Sequence, residues 1–420
     1  MLRTLTTAMD SVPKRVAIPK NGVDFRNKVV LAPMVRSGEI PTRLLALKYG
    51  ADLVWGPETV DQSMIGTTRR LNPHTQTIEF TRLPSHGPKN PGMIQRESVI
   101  YRIHPARESR SLIFQLGTAC PARAVEAAKL VAGYVAGIDV NAGCPKPFST
   151  IGGMGAALLG TPDKLCAILE ALVKEVGSEY EIGISVKIRI LDTAEKTEAL
   201  VRKLCQTGIT GLTVHCRTRS MRPRERAIRD QLRMIGQVCR EAGVACLMNG
   251  DVVSREQAEE LAQEYGVDGV MIATAAEANP SCFRRKSDGG LVPWRDLARE
   301  CLRTALEVDN KFGNTKFLLA NLIPGKDMLH RTVPMAKSYR EVCKILGLEE
   351  ELGRQAREVD ERVGIVYEKD GKDVKNAKLK NATARAAGGD LARKKSSPAD
   401  GRNILAQRGT DAMRALTAEI

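Results

Sequence analysis

The side chains best able to do chemistry sit at the ends of apolar runs. In Ile184-Ser185-Val186-Lys187-Ile188-Arg189-Ile190 the even positions are apolar and the odd positions polar. A strand with that alternation buries its even side in one layer and turns Ser185, Lys187 and Arg189 toward the other. A buried lysine needs an anion or an electron-rich ligand. The competing arrangement is an internal salt bridge with a carboxylate such as Asp139. Neighbouring runs finish in the same manner, at Gln115, at Asp139 and Asn141, at His215 and at Asn249. One polar residue at such a place says little. Five neighbouring runs doing so imply a polar ligand across their common end. Just beyond the fourth run lies Asn141-Ala142-Gly143-Cys144-Pro145-Lys146. A cysteine in a turn beside a basic residue is placed as a reactive thiol, with an inert turn cysteine as the alternative. The following Gly152-Gly153-Met154-Gly155 is a glycine-rich turn whose spacing matches no phosphate loop.

The elements that must position these residues follow one rhythm. Short apolar runs span 29–34, 53–55, 112–116, 137–141, 182–190, 211–215, 245–249 and 269–273, most of them separated by helical patterns. Between them, Thr161 can cap a helix with Pro162 at its first position. Leu165, Ile168, Leu169, Leu172, Val173 and Val176 then make one apolar stripe. Ser254 and Gln257 have capping-box spacing. Eight such units predict a (β/α)8 barrel. A doubly wound open sheet is the competitor, weakened because no GxGxxG follows the first strand. Active groups of a barrel lie at the C-terminal ends of its strands, and the loops after strands seven and eight are its usual phosphate site. Here those loops are Asn249-Gly250-Asp251 and Ala273-Thr274-Ala275, whose small side chains expose backbone N–H groups. A phosphorylated cofactor is therefore expected.

The 420 residues carry a formal charge of +15, which favours a polyanionic partner such as nucleic acid over a merely soluble basic surface. Arg217, Arg219, Arg222, Arg224, Arg226 and Arg229 fall close together after the sixth strand, opposed before Asp230 by Glu225 alone. Arginine suits phosphate recognition. No stretch approaches the roughly 18 apolar residues of a membrane span, and the N-terminus lacks a secretory core. Ten cysteines show no CxxC, so they read as reduced cytosolic thiols without a zinc motif. The segment from about Gly66 to Arg110 is long for a barrel connection. It has room for a short hairpin and holds His74, His86 and His104, expected as exposed loop histidines with no metal spacing. The expected organisation is an N-terminal extension over 1–27, the barrel over 28–294, a helical domain over 295–366 and a basic, disordered tail over 367–420.

These stretches together resemble a known family. Leu31-Ala32-Pro33-Met34-Val35-Arg36, Leu44-Leu45-Ala46 through Tyr49-Gly50-Ala51-Asp52, and Gly137–Asn141 running into Gly143-Cys144-Pro145-Lys146 are similar to the tRNA-dihydrouridine synthases. So are Gly152-Gly153-Met154-Gly155-Ala156-Ala157-Leu158-Leu159, Val186-Lys187-Ile188-Arg189 and Asn279-Pro280. The likeness covers about 28–350 and is nearest the eukaryotic branch acting on position 20 of the D-loop, in a fungal-like form without a double-stranded-RNA-binding domain. It implies an FMN barrel with a helical domain, NADPH as reductant and uridine of tRNA reduced at its 5,6 double bond. Hydride reaches carbon 6 from the flavin and Cys144 protonates carbon 5. The implied flavin contacts are Pro33, Met34, Val35, Glu58, Gln115, Lys187, His215, Asn249, Gly250 and Asp251, with Ala273 and Thr274 at the phosphate. Substrate contacts are expected at Asn141, Lys146, Arg189, Arg217, Arg219, Arg222 and Arg224.

Two residues depart from the family pattern. Thr274 stands where relatives commonly carry an arginine, so another basic residue would have to serve the phosphate. Asp251 stands where a second glycine is usual, and its carboxylate would have to point away. Two rivals stand beside this reading: another FMN-barrel reductase with a small-molecule substrate, and an RNA-binding protein with a decayed flavin site. The expectation is a monomeric enzyme, cytoplasmic with a possible nuclear or mitochondrial fraction, with tRNA as partner and neither metal nor membrane.

Overall fold

The structure, a computed structural model, describes residues 15–84, 97–222 and 224–365. The expected tail over 367–420 and His86 lie outside the described residues. Eight parallel strands carry the fold: β1 (Lys28–Leu31), β2 (Leu53–Trp55), β3 (Leu112–Gly117), β4 (Gly137–Ala142), β5 (Gly183–Arg189), β6 (Gly211–His215), β7 (Ala245–Asn249) and β8 (Gly269–Ile272). Each pairs with its sequence neighbour, β8 pairs back to β1, and β2 to β3 completes the circuit. The result is a closed barrel, which has no open edge and no switch point, so the doubly wound alternative does not apply.

The register stacks the polar residues in layers. Gln115, Asp139 and Ser185 are paired across β3, β4 and β5. Asn141, Lys187 and Thr213 form the next layer, and Arg189, His215 and Asn249 the one nearest the mouth. Ile184, Val186, Ile188 and Ile190 face outward and pack with the helix residues Leu165, Ile168, Leu169 and Leu172 in one core. Each such side chain, when fully buried, contributes about 1.5–3 kcal/mol. That helix, Pro162–Leu172, begins with proline as expected, but Thr161 makes no side-chain capping bond. Ser254 does cap its helix, accepting from Gln257 N at 3.2 Å.

Three regions differ from the simple repeat. The first apolar run leaves the sheet at Ala32, because Pro33 has no N–H to give the ladder. The long insertion contains the expected hairpin (Thr68–Asn72, Thr77–Arg82), which Ser98–Ile103 extends to a three-stranded antiparallel sheet. It is joined to the barrel by the buried Arg43–Glu108 ion pair at 2.7 Å. His74 is exposed, whereas His104 is half-buried, with burial and Arg107 lowering its pKa. The described residues before β1 are not detached: Phe25 is buried against Trp55, ring centroids 5.7 Å apart, and belongs to the barrel core.

From Trp294 the chain is helical, with helices Trp294–Glu307, Phe312–Leu322, Tyr339–Leu346 and Glu349–Val363. Their core, centred on Leu302, Leu319, Tyr339 and Val342, takes in Leu45 of the first barrel helix. Barrel and helical residues through Val359 make one compact unit.

Candidate active site

The lowest polar layer is closed on itself. Asp139 accepts from Gln115 Nε2 at 2.9 Å and from Ser185 Oγ at 2.7 Å. Complete burial nevertheless pushes its pKa up to about 6. Lys187 therefore does not take Asp139 as its hydrogen-bond partner. Its Nζ donates to Asn249 Oδ1 at 3.0 Å, and Asn249 is itself held by donation to Met271 O at 2.9 Å. Burial, then the Arg189 charge, brings the Lys187 pKa down to about 8. The ammonium keeps further N–H donors for a ligand at the mouth.

His215 closes the other side. Its Nε2 lies 3.2 Å from Arg217 Nη1. Arginine only donates, so Nε2 accepts and the neutral ring carries its proton on Nδ1. Burial first, then Lys187, Arg189 and Arg217, drives its pKa down to about 2. The imidazole is thus a fixed neutral donor rather than an acid–base group at physiological pH.

Cys144 stands in the turn after β4. Asn141 Oδ1 accepts from Gly143 N at 2.9 Å and Cys144 N at 3.0 Å, which fixes the turn. Arg189 Nε donates to Gly143 O at 2.7 Å from the neighbouring strand. The thiol is half-buried, and burial together with the Glu58 charge pushes its pKa up to about 11. Lys146, next but one to the cysteine in sequence, is exposed. A thiol held protonated is a proton donor, not a nucleophile.

The remaining expected contacts ring the mouth. Pro33 and Met34 are half-buried after β1, and Val35 is exposed. Gly250 is buried after β7. Asp251 has a left-handed φ of +52°, a conformation that favours glycine and tolerates Asp. Its carboxylate is turned to Arg217 Nη2 at 2.5 Å and Ala227 N at 2.7 Å. Arg229 Nη2 donates to Gly250 O at 2.8 Å. The acidic side chain is thereby directed into the arginine loop. Ala273 is half-buried and the exposed Thr274 opens the short helix Thr274–Ala278. Arg219, Arg222 and Arg224 are exposed, but Arg217 is buried and bonded within the protein. Arg189 is likewise buried, donating to Thr218 O at 2.9 Å as well as to Gly143.

Sequence reasoning missed Ser149, which is buried and donates to Glu58 Oε1 at 2.9 Å. It also missed Arg36, whose guanidinium lies 4.5 Å over the Phe317 ring with φ at +68°. A common serine gives no signal of its own. Arg36 stands inside a motif but belongs to no alternating pattern.

The family model described as dihydrouridine synthase (Dus) matches residues 30–341. The chain belongs to the dihydrouridine synthase family. A relative from Schizosaccharomyces pombe, a tRNA-dihydrouridine(20) synthase (NAD(P)+), is 49% identical over 78% of this chain and 66% of its own length. The chain thus spans about two thirds of that relative. One of the same description from Saccharomyces cerevisiae is 45% identical over 77% of this chain and 84% of its own. A tRNA-dihydrouridine(20a/20b) synthase from S. cerevisiae is 28% identical over 70% of each. Cys144 and the Lys187–Asn249 pair all lie inside the matched region.

The donor set fits a flavin. Glu58 Oε2 is a buried acceptor without a partner. Lys187 and neutral His215 are donors facing the same mouth, and Gln115 is locked beneath them by Asp139. Among the described residues no group of His, Cys, Asp and Glu is placed to hold a metal ion. No described helix is long and apolar enough to cross a membrane.

Proposed function

We propose that this chain reduces uridine to 5,6-dihydrouridine in the D-loop of tRNA, at position 20, with FMN as cofactor and NADPH as reductant. The observation that carries this reading is the 45% identity with a tRNA-dihydrouridine(20) synthase over 84% of that relative. Bound at the mouth, FMN would supply the hydride for carbon 6 of the base. Lys187 and His215 would hold its ring, and the backbone of Gly250, Ala273 and Thr274 its phosphate. Pro33, Met34 and Val35 would lie along its edge. Lys187, charged and largely dehydrated, stabilises negative charge on an electron-rich ring. Cys144 gives its proton to carbon 5: the S–H bond breaks, a C–H bond forms, and the electron pair stays on sulfur.

The base must leave its stack to reach this depth. Asn141, whose side chain fixes the Cys144 turn, and Arg189 order the floor on which it lands. Arg219, Arg222 and Arg224, with Lys146, are the phosphate contacts beside the mouth. Arg217 acts from within, holding Asp251 away from the cofactor phosphate. With Thr274 in place of an arginine, Arg217 and Arg229 supply the positive charge nearest that loop. The enzyme works as a monomer in the cytoplasm.

The test incubates the protein with FMN, NADPH and unmodified tRNA and quantifies dihydrouridine by nucleoside mass spectrometry. Product from the wild type and a loss of about 10²–10⁴-fold in Cys144→Ala are expected. Bound flavin and bound tRNA without product would refute the reading.

A further inference from the structure

Arg36 stands at the apex of a closed turn on the barrel mouth. β1 ends at Leu31, and the chain then folds back on itself, Gly38 N donating to Met34 O at 2.7 Å. A Cβ at Gly38 would lie 2.7 Å from that same oxygen, so the turn closes this tightly only with glycine there. Arg36 takes a left-handed φ of +68°, a conformation that costs any residue with a Cβ. Both flanks of the apex are tied down. The buried Ser37 donates from Oγ to Glu277 Oε1 at 2.6 Å, on the short helix after β8. Glu39 Oε1 accepts from Asn314 Nδ2, on the helix Phe312–Leu322. One turn along that helix, on the same face, is Phe317, and the Arg36 guanidinium lies 4.5 Å over its ring.

The stack leaves the donors of the guanidinium unspent. An arginine laid on a ring keeps its N–H groups in its own plane, directed away from the ring edge-on. The carboxylates that bond the turn, Glu277 and Glu39, are engaged by Ser37 and Asn314. Among the described residues no hydrogen bond or ion pair engages the Arg36 side chain, which is exposed. A strained backbone, a glycine-closed turn and two anchored neighbours thus present a free, pre-oriented cation at the mouth. We propose that Arg36, steadied by Phe317, grips a backbone phosphate of the substrate RNA beside the reacting uridine. This role rests on the reading of tRNA as the substrate.

Its place in the barrel gives the contact its use. Round the mouth, β1 is three strands from β6, which leads into the arginine loop, and three from β4, which leads into the Cys144 turn. Arg36 therefore faces the arginine loop across the mouth. It stands at the seam where the helix Thr274–Ala278 packs against the helix Phe312–Leu322. A base drawn out of its stack is held in reacting geometry only when the backbone is fixed on both sides of it. Arg219, Arg222 and Arg224 serve one side, and Arg36 serves the other. The planar fork suits a phosphate, which it can meet with two N–H bonds at once. Phe317 covers one face of the fork and removes much of the rotamer freedom that such a grip would otherwise have to freeze.

The experiment titrates unmodified tRNA onto the full-length, flavin-loaded protein at several salt concentrations, as wild type, R36A, F317L and the double variant. Steady-state dihydrouridine formation then separates KM for tRNA from kcat. Loss of one phosphate contact should lower the slope of log K against log salt by about 0.7–0.9 in R36A. KM for tRNA should rise about tenfold, the worth of one charged hydrogen-bonded contact. F317L keeps the cation and loses its platform, so the slope should stay and KM rise by less. The double variant should match R36A, because Phe317 acts through Arg36. R36Q, which keeps the length without the charge, should repeat the loss of slope and is the deciding variant if R36A does not fold. A wild-type slope with a lower melting temperature would make the stack a clasp between barrel and helices and overturn the role. Slower reduction of the flavin by NADPH without tRNA, at an unchanged slope, would assign the guanidinium to the dinucleotide and overturn it equally. A wild type that binds no tRNA overturns the substrate reading itself, whereas wild-type binding with an unchanged R36A slope overturns only the part given to Arg36.

Discussion

Asp139 and Lys187 occupy adjacent layers of one barrel interior, and burial displaces them in opposite senses. Desolvation penalises whichever form is charged, so the carboxyl rises to about 6 and the ammonium falls to about 8. For Asp139 the linkage has a definite sign. A carboxyl whose pKa is higher folded than unfolded binds protons preferentially in the native state, so stability falls as pH rises between about 4 and 6. Asp139→Asn removes that titration. Thermal melts of the flavin-free protein should lose part of their pH dependence in this window and keep it elsewhere. Identical pH profiles for the two proteins would count against a buried, displaced Asp139. The neutral His215 is fixed by the same desolvation, reinforced by three cations that face it.

At the scale of the element, the catalytic turn is held by its frame. β4 ends at Ala142, Asn141 caps the turn, and Gly155 returns the chain against Cys144 at a φ of +56°. Gly155→Ala adds both a left-handed strain and a clash with Ser149 and Cys144 O. The chain must yield by several tenths of an ångström where the acid sits. Displacements of that order cost catalysis heavily, about 10²-fold per ångström. The expected result is a loss of activity on that scale with far-ultraviolet circular dichroism and flavin content close to wild type. Retained activity would show that the turn is adaptable. The sequence marks this turn clearly, because GCPK and the following GGMGAALL are unusual in combination. The Ser149–Glu58 contact carries no such mark, since it joins residues 91 positions apart.

At the scale of the whole molecule, the net charge of +15 predicts salt-sensitive binding of a polyanion. The arginine loop divides into two kinds of residue. Arg219, Arg222 and Arg224 are exposed, while Arg217 is 5% exposed and bonded to Asp251, Glu225 O and His215. Alanine at any of the first three should weaken tRNA binding and lower the slope of log K against log salt by about 0.7–0.9, with flavin affinity unchanged. Arg217→Ala should leave the slope alone and lower flavin affinity and melting temperature, because Asp251 is then released beside Gly250. Filter-binding titrations at several salt concentrations, run beside flavin titrations, separate the two. A reduced slope for Arg217→Ala would place that side chain on the RNA instead. From the sequence the six arginines are equivalent, since nothing local distinguishes an exposed one from one that a distant carboxylate captures.

The sequence by itself determined the barrel and which strand residues face its interior. Strand periodicity is local, and β2, β6 and β7 end where their apolar runs end. Alternation along β5 is likewise local, so Ser185, Lys187 and Arg189 could be assigned to the interior. Tertiary structure alone decided which partner each polar group took. Lys187 bonds to Asn249 rather than Asp139, Asp251 turns to Arg217, and Glu58 takes Ser149. Those choices depend on register between strands and on the direction of loops far apart in the chain. Burial and a glutamate distant in sequence raise the Cys144 pKa, while the side chain of nearby Lys146 is exposed. The charge that reaches the sulfur is set by burial and distance, and neither is written in the order of the residues.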